Sequence, residues 1–211
     1  MTLVSWIYVF LLGFIVIMLS SKWYYHNLII PFRILLAIVI ISFVLEICTA
    51  YLFNSLDNNL FFYHIFNPLE FMLYSSLFIS LSMSRRINKM ISILAFLFIP
   101  LALYLSLFVQ KTNVNNSYEV ITESLLVIFY CLLYLRHLNV NEIAKRAEKN
   151  PFFWITMGAL FYFIGSLFLE GFLTFLMNTS LNLAQLYNKL GFLFKYLTCI
   201  LFIIGILSSK K

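Results

Sequence analysis

The sequence predicts an all-α polytopic membrane protein of seven transmembrane helices, and two observations carry that prediction. The 211 residues are 63% hydrophobic and 10% charged, with a mean hydropathy of +0.98, far more apolar than a soluble domain of this size. The apolar residues also fall in unbroken runs of about 20, the length of one bilayer crossing, without the period-two alternation of barrel strands. Seven such runs take up about 140 positions, and the remaining 70 or so hold no room for a soluble catalytic, regulatory or nucleic-acid-binding domain.

The first run, 3–20, has no Lys or Arg ahead of it, and Ser20-Ser21-Lys22-Trp23 is a poor cleavage region, so it reads as a span rather than a secretory signal. The second, 31–53, starts at Pro31, and the third, 61–81, carries Pro68 near its start. The fourth, 90–110, is divided by Pro100, a residue able to kink it. Spans at 119–136, 152–177 and 186–207 complete the set, all within one transmembrane domain covering 1–211.

Basic residues orient the bundle. Lys22, Arg33, Arg85, Arg86, Lys89, Arg136, Lys145, Arg146, Lys149, Lys210 and Lys211 flank one side, whereas Lys111 and Lys189 alone flank the other and Lys195 lies within a span. The positive-inside rule then puts the N-terminus outside and the C-terminus in the cytoplasm, as for a bacterial inner-membrane protein. Most of the net charge of +6 faces the cytoplasm, where membrane lipids with anionic headgroups are its partner and nucleic acid is not. The basic connection 136–149 offers a further docking place for a cytoplasmic protein.

A displacement of 124 residues superposes the second and third spans on the sixth and seventh without a gap. Between Ile40–Phe71 and Ile164–Lys195, nine of 32 positions are identical, among them Glu46/Glu170, Asn54/Asn178, Asn58/Asn182 and Tyr63/Tyr187. The polar matches carry the weight, because Leu and Ile coincide freely in such a composition. A repeat divides the chain into halves 1–81 and 119–207 joined by a linker helix, 90–110, giving parallel pseudo-repeats. This plan resembles the three-plus-one-plus-three architecture of the SWEET sugar transporters and the PQ-loop family. The resemblance is of architecture alone: the Pro-Gln signature is missing, and no motif transfers a substrate or a binding residue.

Ionisable residues within spans are expensive and mark bundle interiors or aqueous cavities. Counting about 1.5 Å per residue from the helix ends puts Glu46, Glu70, Glu170 and Lys195 in one layer, roughly 10–13 Å below the outer surface. Glu123 lies nearer the outside at the start of the fifth span, and His64 one to two turns above Glu70. His64, Asn67 and Glu70 step by three and three, which puts them near one helix face. Pro68 frees a backbone acceptor beside them. The seven residues Glu46, His64, Asn67, Glu70, Glu123, Glu170 and Lys195 are the candidate ligand- or ion-binding set. The competing structural reading is a Glu–Lys pair and hydrogen-bonded glutamates that merely hold helices together.

Other chemistries find less support. Cys48, Cys131 and Cys199 are widely spaced and His26, His64 and His137 lie in separate regions, so no metal set is expected, and no catalytic motif such as H-E-x-x-H or G-x-S-x-G occurs. A retinal protein would place an acidic residue four positions before the last-helix lysine, where Gly191 stands before Lys195. No cofactor is expected. The aromatic groups Phe152-Phe153-Trp154 and Phe161-Tyr162-Phe163 read as lipid contact and interface anchoring. Six glycines over seven helices argue against extensive close packing through small residues. The expectation is a transporter of a small polar solute or ion with an outward-facing Glu/Lys site, the alternative a sensor or accessory subunit that signals through a partner.

Overall fold

The computed structural model describes residues 3–26, 28–52, 61–81, 83–110, 116–140, 148–179 and 181–209. The described residues hold seven long helices and no strand: α1 (Leu3–His26), α2 (Ile30–Leu52), α3 (Phe61–Ser80), α4 (Arg85–Tyr104), α5 (Ser117–Val140), α6 (Pro151–Thr179) and α7 (Leu181–Ser208). Six of them, all but α3, are long and apolar enough to cross a membrane. Their outer faces carry large apolar side chains. On α4 and the turn after it, Phe96, Leu97, Leu103, Leu107 and Phe108 are all exposed, a surface that hydrocarbon and not water would solvate. The chain is an integral membrane protein.

The helices form two compact units, Leu12–Glu123 and Thr2–Leu11 with Ser124–Lys211. In the first, apolar residues at helical spacing fill the interior: Leu12, Ile15 and Leu19 on α1, Leu35 and Val39 on α2, and Ile91, Ala95, Phe98 and Ala102 on α4. Phe71 of α3 packs on Phe98 with ring centroids 4.2 Å apart, a tilted aromatic contact. Ser84 starts α4 by accepting from the Ile87 backbone N–H at 3.4 Å, and Arg85, Arg86 and Lys89 stay exposed in its first turns. Pro100 lies inside the helix. α4 runs through that residue, and the irregularity comes one turn later, as a π-helical turn over Leu105–Val109 in which Gln110 N donates to Leu105 O at 2.7 Å.

In the second unit α6 and α7 pack face to face, and small residues set the spacing. A Cβ on Gly165 would stand 2.5 Å from Phe194 Cγ, one on Gly158 2.8 Å from the Phe202 ring, one on Gly191 2.5 Å from Leu169 Cδ1 and one on Gly205 2.8 Å from the Pro151 carbonyl oxygen. Close packing through glycine is thus present but local: five of the six glycines lie in this one helix pair, four of them at such contacts. Thr198 adds a buried polar contact across the pair, its one hydroxyl proton shared between Gly158 O at 3.0 Å and Phe194 O of its own helix at 2.9 Å. Phe163, expected to face lipid, is buried in this unit. Asn150 caps α6 through a 2.9 Å bond from Phe152 N, with Pro151 at the first helical position.

Candidate functional site

The site grows from α3. This helix is the one that the apolar criterion leaves out, because its sequence places His64, Asn67 and Glu70 on successive turns, and all three are buried. The helix remains unbroken through Pro68. Facing them in the same unit is the start of α5, where Glu119 and Glu123 are four residues apart and thus on one face, also buried. Asn116, buried immediately before α5, accepts from the backbone N–H groups of Glu119 and Val120 at 3.0 and 3.1 Å and so closes the helix start.

Ser106 comes from the π-helical turn. Its neighbours Leu107, Phe108 and Val109 are exposed, whereas Ser106 is buried. Its hydroxyl lies 2.9 Å from His64 Nδ1 and donates to Glu119 Oε2 at 3.5 Å, and the two outer members of this chain, His64 Nδ1 and Glu119 Oε2, are 3.7 Å apart. Gln110 ties the same turn to α5 by accepting from Tyr118 N at 3.0 Å. Glu123 lies within electrostatic reach of both Glu70 and Glu119. Three carboxyl groups therefore share one buried region with a single imidazole, an arrangement that needs protons or a cation for charge balance.

Hydrogen bonding inside the cluster is incomplete. Asn67 Nδ2 and Glu123 Oε1 are buried with no hydrogen-bond partner, whereas the Asn116 side chain lies beside the Glu119 carboxyl and bonds to it. Each unpaired atom costs about 1–3 kcal/mol if it stays unpaired.

A serine, a histidine and a glutamate in contact suggest a hydrolytic triad, but the geometry is wrong for one. The serine and the carboxylate both approach Nδ1 of His64, whereas a triad uses one ring nitrogen for the nucleophile and the other for the orienting acid. Among the described residues, no three His, Cys, Asp or Glu side chains come together as a metal-binding group.

Of the residues singled out from sequence, His64, Asn67, Glu70 and Glu123 belong to this cluster. Glu46 is half-buried on α2 of the same unit. Glu170 and Lys195 are half-buried in the second unit, where the Lys195 ammonium lies 4.8 Å from the Tyr8 ring centroid and 5.3 Å from that of Phe192. Of the basic 136–149 connection, residues 141–147 lie outside the described residues. Sequence reasoning missed Glu119, Ser106 and Asn116. The four-residue step from Glu119 to Glu123 was a readable signal, whereas a lone serine in Leu105–Val109 carried none.

Comparison with family models, with curated proteins and with solved structures gives no match to this chain.

Proposed function

We propose that the protein transports a small polar solute or ion across the membrane along a path that passes the carboxyl groups of α3 and α5. The observation that carries this reading is the group of three buried carboxyls, Glu70, Glu119 and Glu123, with unpartnered polar atoms on Asn67 and Glu123 among them. A guest that exchanges hydrogen bonds or charge with these atoms supplies what the protein leaves out. A structural network would be expected to close on itself, since half-satisfied buried networks are less stable than apolar packing.

The finer topology belongs to the same proposal. It comprises seven spans with α3 among them, an outer N-terminus, a cytoplasmic C-terminus in a bacterial inner membrane, and two parallel repeats around a linker helix. The basic connection 136–149 meets anionic headgroups or a cytoplasmic protein.

The test is flux through the purified protein in liposomes, measured for a panel of cations, amino acids and small polyols. Flux that is abolished by Glu123→Gln or Glu70→Gln supports transport. Absence of flux across the panel, together with specific copurification of a signalling protein, supports the sensor or accessory role instead.

A further inference from the structure

We infer that His64, Ser106 and Glu119 form a proton relay, so that the ion moved or exchanged at this site is the proton. The inference rests on the transport reading and deepens it. A serine hydroxyl can accept and donate at once, and here it sits between a ring nitrogen at 2.9 Å and a carboxylate oxygen at 3.5 Å. In the forward step the imidazolium Nδ1–H passes its proton to Ser106 Oγ while the Ser106 O–H proton passes to Glu119 Oε2. The products are a neutral imidazole, an unchanged serine with its O–H turned, and a protonated Glu119, with no net charge created and no co-reactant. Rotation of the hydroxyl resets the chain for the next proton.

Two further observations give the relay an exit. Glu119 is joined to Asn116 by a side-chain hydrogen bond, which gives the carboxyl a second contact beyond Ser106. Glu123, one helical turn on, keeps Oε1 buried and without a partner and lies within electrostatic reach of Glu119 and Glu70. Besides the relay itself, the titratable or charged groups are Tyr63, Glu70 and Tyr74 on α3, Arg85, Arg86, Lys89 and Tyr104 on α4, Tyr118 and Glu123 on the first two turns of α5, and Arg33, Glu46, Cys48 and Tyr51 on α2, which packs on α3. Glu70 and Glu123 are the next stations. The π-helical turn is the positioning element, because it turns a serine inward from an otherwise lipid-facing segment.

The experiment uses the full chain in liposomes loaded with a pH-sensitive dye, with a membrane potential imposed by potassium and valinomycin. Wild type is expected to carry protons inward. Ser106→Ala is expected to slow this by about tenfold, the equivalent of one lost hydrogen bond in the path, and Ser106→Thr to restore it because the hydroxyl is kept. Solute or ion flux that persists without proton movement and is unchanged in Ser106→Ala overturns the relay and leaves transport standing.

If no flux of any kind is found, the transport reading fails and the relay is tested alone by infrared titration of the protein in nanodiscs. The carboxyl band lost in Glu119→Gln should shift in Ser106→Ala and return in Ser106→Thr. A band indifferent to both substitutions refutes the coupling.

Discussion

Gly165 and Gly171 lie on the same helix and make a paired test of how α6 meets α7. An alanine methyl at position 165 would stand 2.5 Å from Phe194 Cγ and 2.7 Å from Phe194 Cβ. Ordinary carbon contacts are about 3.5–4.0 Å, so the shortfall is roughly 1 Å. Rotating the phenyl ring does not relieve it, because Phe194 Cβ is fixed to the α7 backbone. The helices must therefore separate at this level. Overpacking of this kind costs about 1–3 kcal/mol, or about 5- to 150-fold in the folding equilibrium.

At Gly171 nothing lies within 4 Å of the added carbon, and there Gly→Ala should stabilise the helix by about 0.5–1 kcal/mol. Thermal unfolding in detergent, followed by circular dichroism, reads both variants at about 2–4 °C per kcal/mol for a chain of this size. Gly165→Ala should lower Tm and Gly171→Ala should raise it or leave it unchanged. A Gly165→Ala protein as stable as wild type would show that α6 and α7 do not approach as described. Gly191→Ala supplies a graded control, since its methyl meets the flexible end of Leu169 and should cost less than Gly165→Ala.

Thr198→Val, which keeps shape and removes the donor to Gly158 O, should cost about 0.6–1 kcal/mol in the same assay, and no loss would mean the bond is absent in the membrane. A double-mutant cycle of Lys195→Met with Tyr8→Leu should return a coupling of about 0.5–1 kcal/mol from the cation–π contact; additive effects would show that the ammonium does not sit over the ring. Glu123→Gln should abolish flux while stability holds or rises, because a buried acid among acids is replaced by a neutral isostere; lost folding with flux intact in the folded fraction would reverse the assignment of roles. In whole cells, a cysteine in place of exposed Lys89 should react with an impermeant thiol reagent only after lysis and one in place of exposed Tyr118 before it, and the opposite pattern would invert the orientation.

Helix identity and approximate limits were legible in the sequence because the contrast between hydrocarbon and water is a local property. The runs at 31–53 and 61–81 match α2 (Ile30–Leu52) and α3 (Phe61–Ser80) closely. Disagreement occurs where the helix continues into the interface. α4 begins at Arg85 rather than 90 because Ser84 caps it and three basic side chains reach back toward water, and α5 extends to Val140 rather than 136. Hydropathy marks where lipid starts, whereas backbone hydrogen bonding persists beyond it.

The burial of His64, Asn67, Glu70 and Glu123 was also legible, since a polar side chain in a span needs to turn inward whatever the fold. Which of them meet was not. Ser106 joins His64 to Glu119 only because a π-helical turn rotates it inward, and the glycines of α6 and α7 matter through placement in one helix pair rather than through number. Composition and spacing act along the chain, over one helical turn at a time. The His64–Ser106–Glu119 contact joins residues 42 and 13 positions apart, and its geometry is set by how α3, α4 and α5 pack.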